Sequence, residues 1–142
     1  MKNVLDNLDS KESYDLIIDS HCFHCLNGLT EQKKALKNMV SNLKKGGVLA
    51  IETMVYHKNM SFHPPYYFDN KNSSLFKEDR WGTLVRYRTI PDSLKLERMI
   101  LLENLKIEYF TILPNLRMIP ESNREIVKEE DPQCLRIICR KT

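Results

Sequence analysis

Two histidines and two cysteines lie within five consecutive positions, directly after a short apolar segment. The segment reads His21-Cys22-Phe23-His24-Cys25 and is preceded by Asp19 and Ser20. Histidine exchanges protons near neutral pH, so His21 and His24 are candidates for general acid–base chemistry. The structural alternative is that both are hydrogen-bonded loop residues at the end of a strand.

The same segment contains the ligand types that zinc prefers. Tetrahedral zinc sites usually combine two separated ligand pairs, because so short a segment does not easily surround one ion. The remaining histidines and cysteines lack tight ligand spacing, and no thioredoxin-like pattern surrounds Cys22 and Cys25. We therefore predict no metal site, and we interpret these cysteines as buried or semi-buried thiols.

The amino-acid composition limits the classes of protein to which this chain can belong. The chain has 142 residues, 42% of them hydrophobic and 29% charged, which predicts one folded domain. A net charge of +3 from scattered basic residues argues against nucleic acid as a partner. No segment resembles a signal peptide or approaches the roughly 20 apolar residues of a membrane span. These features, with four cysteines, predict a cytoplasmic protein without membrane contact.

Apolar periodicity predicts a βαβ unit in the first part of the chain. Tyr14–Asp19 is a short apolar segment that fits a buried strand, and Val48–Thr53 fits a second one. Between them we predict a helix that is capped by Thr30 and ends near Gly46 or Gly47. Its apolar stripe consists of Leu36, Met39, Val40 and Leu43.

The rest of the chain is predicted to hold an insertion and a closing hairpin. Val55–Tyr87 is aromatic and polar, which is typical of a lid beside a sheet. A helix is predicted from Asp92 to Leu105, and strands are predicted for Lys106–Leu113 and Cys134–Arg140. Pro114–Gln133 is predicted to be a polar loop.

In this order, the segments resemble the C-terminal part of a class I S-adenosylmethionine-dependent methyltransferase. Tyr14–Asp19 resembles the fourth strand of that family, and His21–Leu26 resembles the loop after it. Leu43-Lys44-Lys45-Gly46-Gly47 resembles the Leu-Lys-Pro-Gly-Gly turn before the fifth strand, with lysine in place of proline. The resemblance implies an α/β fold with an incomplete Rossmann-like sheet: a βαβ unit, a lid insertion, a helix and a terminal antiparallel hairpin.

The resemblance also implies a cofactor and a reaction. S-adenosylmethionine would donate a methyl group to a small-molecule acceptor. The family binds this cofactor largely through a Gly-x-Gly turn after its first strand, and none of the chain's four glycines forms that pattern. We therefore expect weak cofactor binding by this chain alone. A truncated enzyme, one half of a split enzyme and a non-catalytic remnant used for binding or assembly remain open.

By resemblance, site residues are expected at the carboxyl ends of the strands. Asp19 and Ser20 would face the cofactor, although a purely structural role for Asp19 in a turn is equally compatible. His24 is our first candidate for the base that removes a proton from the acceptor, and His21 is the second. Aromatic residues of the lid would either bind the acceptor or simply pack on the sheet, and the candidates are Tyr66, Trp81 and His63.

The family places its fourth strand in the middle of the sheet. Without the preceding strands, Tyr14–Asp19 becomes an edge, and an apolar edge strand readily pairs with another chain. We therefore expect a second copy of the chain, a complementing chain or a rearranged N-terminus to cover it.

Overall fold

The computed structural model describes residues 4–6, 13–121 and 123–142, which form two β-sheets and two α-helices. The strands are β1 (Tyr14–Ser20), β2 (Leu43–Val55), β3 (Tyr66–Asp69), β4 (Ser74–Glu78), β5 (Leu84–Thr89), β6 (Leu105–Arg117) and β7 (Gln133–Lys141). The helices are α1 (Leu29–Asn42) and α2 (Ser93–Leu101), with one turn of 3-10 helix at Phe23–Cys25. The larger sheet has the order β1-β2-β7-β6, and the smaller one has the order β3-β4-β5.

The predicted βαβ unit is confirmed. β1 and β2 pair in parallel, with Ile17 opposite Leu49 and Ser20 opposite Glu52, and α1 connects them. β7 pairs antiparallel with β2 and with β6, which confirms the terminal hairpin. The α/β architecture predicted from the sequence is therefore correct.

The predicted caps of α1 are wrong. Thr30 lies inside the helix, because Gly28 is the N-cap residue and its φ of 92° favours glycine. A Cβ on Gly28 would also lie 2.6 Å from the Arg86 guanidinium. At the other end, α1 passes directly into β2 at Leu43, so Gly46 lies within the strand instead of ending the helix.

The second helix begins with a side-chain cap at Asp92, but it is shorter than predicted. The Asp92 carboxylate accepts a hydrogen bond from the Lys95 amide at 2.8 Å, and α2 ends at Leu101 instead of Leu105. Asn104 follows in the left-handed region with a φ of 56°. Among the described residues, no helix is long and apolar enough to cross a membrane.

The larger sheet is covered on one face and open on the other. Both helices pack on one face, and the largest side chains of that core include Phe23, Leu36, Leu49, Leu96, Ile100 and Leu135. On the opposite face, Leu16 is 53% exposed and Ile18 is 67% exposed. β1 is an outer strand of this sheet, which confirms the predicted edge.

The predicted lid segment contains the three antiparallel strands β3, β4 and β5. This smaller sheet has its own apolar cluster, formed by Met54, Tyr66, Leu75, Ile90, Met118 and Cys134. The strands were not foreseen, because the aromatic and polar residues of this segment do not alternate regularly. A lid function for residues 55–87 and a single-domain organisation stay predictions.

Buried polar contacts join the end of β5 to the turn after β1. The Thr89 hydroxyl donates to the Leu26 carbonyl at 2.6 Å and accepts from the Gly28 amide at 2.7 Å. Nε2 of Gln32 donates to the carbonyls of Phe23 and Thr89 at 3.1 and 3.0 Å. Thr89 and Gln32 are fully buried, so these bonds are shielded from water.

We expect Thr89→Val to lower the free energy of unfolding by about 1 kcal/mol, because the Leu26 carbonyl and the Gly28 amide lose the hydroxyl and keep only their mutual bond of 3.0 Å, without any change in shape. Urea unfolding followed by circular dichroism measures the effect. Thr83→Val is the matched control, since Thr83 is exposed in the β4–β5 hairpin. Equal stability of the two variants would contradict the structural role of this contact.

Candidate functional site

A cavity of about 450 Å³ lies at the carboxyl ends of β1 and β2. His21 and His24 both line it, together with residues from β5, from the segment after β6 and from the start of β7. Their ring centroids are 6.1 Å apart. The structure thus brings the two predicted catalytic residues together at the edge of the sheet where open α/β proteins bind ligands.

Asp19 holds the turn that carries both histidines. Its Oδ1 accepts hydrogen bonds from the amides of Cys22 and Phe23 at 3.3 and 3.0 Å. Burial raises the pKa of the carboxyl group, although these bonds act in the opposite direction. Phe23 is fully buried and fixes the turn to the core. The turn-capping alternative for Asp19 is therefore present in the structure, and cofactor contacts by Asp19 and Ser20 stay predictions.

His21 belongs to a chain of charged and polar groups. Its Nε2 donates to Oε1 of Glu52 at 2.8 Å, and Oε2 of the same carboxylate accepts from Nε of Arg136 at 2.5 Å. The bond from Arg136, followed by the bond from His21, lowers the pKa of Glu52. Glu52 therefore stays ionised and orients the His21 ring. With Nε2 donating, a neutral ring keeps Nδ1 as its proton acceptor.

His24 has a different environment. It is 3% exposed, and its Nδ1 lies 3.4 Å from the Met54 amide and 3.3 Å from the Thr53 hydroxyl. Because the amide can only donate, Nδ1 accepts, and a neutral ring carries its proton on Nε2. Burial, followed by the charges of Arg88 and His21, lowers the pKa of His24 to about 3. His24 is thus a neutral hydrogen-bond donor at pH 7 and a weak base.

The cysteines differ from the prediction. Cys22 and Cys25 are exposed, because the turn places them on its outer side, so their prediction as buried or semi-buried thiols is wrong. Cys134 and Cys139 are buried, and burial raises their pKa values to about 11 and about 12. Within the described residues, no group of three histidine, cysteine, aspartate or glutamate side chains could hold a metal ion.

Arg88 is a site residue that the sequence analysis did not single out as functional. It lies beside His24 near the end of β5, where the pairing of β4 and β5 shifts between Leu75 and Phe76. Such a bulge changes the direction of a side chain, and bulges are common next to active sites. The only sequence signal is a charged residue directly before the buried Thr89.

The predicted acceptor-binding residues do not line this cavity. Tyr66 is buried with its ring 5.8 Å from that of Tyr87, and it lines a separate cavity of about 260 Å³ together with His63. Trp81 is 76% exposed in the β4–β5 hairpin and stacks with the Arg80 guanidinium at 4.6 Å. Tyr66 and His63 thus lie at one other place in the structure, and Trp81 lies at a second. Acceptor binding by these three residues stays a prediction.

Solved structures share this arrangement of strands and helices. An S-adenosylmethionine-dependent methyltransferase from Methanosarcina mazei matches with a TM-score of 0.76 and 15% identity, over 99% of this chain and 65% of that chain. The 1,6-didemethyltoxoflavin-N1-methyltransferase from Burkholderia thailandensis, solved with 1,6-didemethyltoxoflavin and S-adenosylhomocysteine, matches with a TM-score of 0.59 and 14% identity, over 98% and 48%. The chain has the fold of part of a class I methyltransferase.

The match is structural and partial. No protein-family model matches the sequence, and no curated protein matches it significantly. The [4+2]-cyclase SpnF also has this methyltransferase fold, with a TM-score of 0.61 and 9% identity, over 99% of this chain and 54% of that chain. The chain thus spans about half to two thirds of these solved structures. The fold confirms the resemblance seen in the sequence, while the reaction has to be argued from the site.

The environment of His24 predicts a pH-dependent stability. Its pKa is about 3 in the folded chain and ordinarily 6.5, so the unfolded chain binds an extra proton between these values. Stability should therefore fall as the pH drops below 6.5. Between pH 6.5 and 5, His24 alone should account for about 2 kcal/mol of the loss.

Urea unfolding at pH 7 and pH 5 tests this expectation. His24→Gln should remove that part of the pH dependence, because glutamine does not titrate. His63→Gln is the control, since His63 is exposed and distant from the cavity. An unchanged pH dependence in His24→Gln would show that His24 is not held neutral by burial.

Proposed function

We propose that the chain is part of an S-adenosylmethionine-dependent methyltransferase that acts on a small-molecule acceptor. The observation that carries this proposal is the parallel β1–α1–β2 unit with His21 and Glu52 at its carboxyl end, in a fold shared with methyltransferases over 99% of the chain. We place it in the cytoplasm, because all four cysteines are unpaired thiols, as in reducing compartments.

The described residues fit one wall of a cofactor site. A groove of about 750 Å³ runs along β1 and is bordered by Asp19 and Ser20 at its carboxyl end. S-adenosylmethionine, when bound, supplies a methyl group on a positively charged sulfur. The Gly-x-Gly turn that would form the opposite wall is not in this sequence, so the chain alone should bind the cofactor weakly.

His21 is the better general base of the two histidines, which reverses the order drawn from the sequence. Its Nδ1 faces no described partner, and Glu52 stabilises the imidazolium that forms when Nδ1 takes a proton from the acceptor. His24 is too weak a base for this step and holds a polar group of the acceptor through Nε2–H. None of the described residues that line this cavity lies in 55–87, so a lid function for that segment stays a prediction.

We expect S-adenosylhomocysteine to bind the chain with a Kd on the order of 1 mM, because only part of the cofactor site is present. Amide chemical shifts in a nitrogen-15 NMR titration should change at Asp19, Ser20 and His21. Ser20→Tyr should abolish these changes by filling the end of the groove. Ser61→Tyr, at the separate cavity near His63, is the control and should leave them intact.

The variant His21→Gln tests, in the same titration, whether His21 is the general base or a residue that binds the cofactor. A general base contacts the methyl-accepting molecule and not the cofactor. Loss of His21 should therefore change the Kd of S-adenosylhomocysteine by less than about twofold. A much larger loss would place His21 in the cofactor site. Absence of any shift at the end of β1 would overturn the methyltransferase proposal and leave the non-catalytic alternative.

The non-catalytic alternative is a binding or assembly module that retains the fold. It is favoured by the open β1 edge of the described sheet. Such a module would bind a partner through β1 and would show no cofactor contacts at Ser20. The titration therefore discriminates between the two functions.

We propose that the occupant of the β1 edge is a polypeptide segment with the preceding strands of the methyltransferase fold. The similar solved structures are longer than this chain, and the exposed Leu16 and Ile18 offer such a segment an apolar surface. A second copy fits less well. If two β1 strands pair antiparallel around Ile17, Asp15 of one copy lies opposite Asp19 of the other, and like charges there are destabilising.

We expect the chain alone to be a monomer of 16.8 kDa by light scattering. Ile18→Lys should then leave the mass unchanged and the stability within about 0.5 kcal/mol, because Ile18 is exposed. Ile17→Lys is the contrasting control, since Ile17 packs against the core and should destabilise the fold. A dimer that Ile18→Lys dissociates would show that a second copy covers the edge.

A further inference from the structure

The cavity beside His21 and His24 combines an apolar wall with positive charge. Its apolar and thiol side chains are Cys25, Met54, Leu116, Met118, Ile119, Val127 and Cys134. Arg88 and Arg117 line it as well, and none of the described lining residues is an aspartate or a glutamate. A volume of about 450 Å³ is typical of a site for a small organic molecule.

Arg88 lines this cavity without a counter-charge, and it differs from Arg117 in having a buried donor without any partner. Its Nη1 donates to the Tyr87 carbonyl at 2.9 Å and its guanidinium stacks on the Tyr87 ring at 4.1 Å, but its buried Nε has no partner. None of the ion pairs among the described residues includes Arg88. By contrast, Arg117 donates to the carbonyls of Pro114 and Glu129.

The position of Arg88 is fixed before any ligand arrives. The β-bulge in the β4–β5 pairing directs it, and the next residue, Thr89, is fully buried and bonded to Leu26 and Gly28. The guanidinium lines the cavity with no acidic side chain beside it, so an anion bound there meets a charge that no described residue neutralises. The arrangement thus favours a negatively charged ligand.

We propose that this cavity binds the carboxylate of a small apolar molecule through Arg88. The planar guanidinium presents two parallel donors to a carboxylate, and the methionine and leucine side chains cover the apolar part. No described residue accepts from Nε2 of His24, so this group is a second donor for the ligand. Resting on the proposed function, this molecule is the methyl acceptor. A hydroxyl or amine group elsewhere on it takes the methyl group as the methyl–sulfur bond of S-adenosylmethionine breaks, and His21 receives the proton of that group.

Methyl-labelled methionines report on the cavity directly. We would titrate the chain with 3-phenylpropanoate and with its uncharged counterpart, 3-phenylpropanamide, and follow the carbon-13 methyl signals. Met54 and Met118 line the cavity, whereas Met99 lies in the other core and serves as an internal control. We expect the carboxylate to shift Met54 and Met118 and to bind about tenfold more tightly than the amide, since a charge-assisted bond is lost with the amide.

Variants of Arg88 test the assignment. Arg88→Gln should weaken carboxylate binding about tenfold, because the positive charge is removed, and should change amide binding by less than about twofold, because the amide gains little from that charge. Arg88→Lys keeps the charge without the planar fork and should fall between the two. Arg86→Gln is the matched control on the same strand, outside the cavity. Unchanged amide binding in Arg88→Gln also shows that the cavity is still folded.

The outcomes separate this inference from the proposed function. Equal binding of carboxylate and amide, or carboxylate binding that Arg88→Gln does not weaken, would overturn the anion site. Weakened S-adenosylhomocysteine binding in Arg88→Gln would overturn it as well, by assigning Arg88 to the cofactor. Carboxylate binding without any S-adenosylhomocysteine binding would keep the anion site and reject the methyltransferase.

Discussion

Parallel pairing of β1 with β2 determines the positions of His21, His24 and Glu52. Parallel strands end at the same edge of a sheet, and the register places Ser20 opposite Glu52, so the next residue, His21, meets the Glu52 side chain. A register shift by one residue would direct Glu52 to the other face and break its contact with His21. The 3-10 turn held by Asp19 then brings His24 under β2.

The sequence predicted this scaffold well, because the strands and the helix each carry a strong local signal. Short apolar segments between polar residues marked β1 and β2, and the spacing of Leu36, Met39 and Val40 marked α1. The ends of α1 were missed because no side chain caps it. Gly28 begins the helix through its backbone with a φ of 92°, a conformation that favours glycine and that no local side-chain pattern indicates.

The smaller sheet explains why the acceptor side was predicted less well. Tyr66 and Trp81 were chosen for their aromatic rings, but ring chemistry does not indicate which way a strand presents a side chain. β3 turns Tyr66 into its own apolar cluster, and the hairpin carries Trp81 into solvent. The sequence did not indicate that Arg88 is a site residue, because the direction of its side chain depends on a β-bulge. A β-bulge is defined only once the pairing of two strands is known.

Burial and a nearby positive charge together set the electrostatics of the cavity. Burial, followed by the charge of Arg88, disfavours protonation of His24, and the same charge favours a bound carboxylate. Glu52 cannot serve as the counter-ion, because its two oxygens are occupied by His21 and Arg136. Glu52 thus stays ionised beside His21, while the positive charge of Arg88 stays available for a ligand. In the reaction that we propose, this separation of charges lets one apolar cavity hold an anionic acceptor while His21 takes a proton from the group that is methylated.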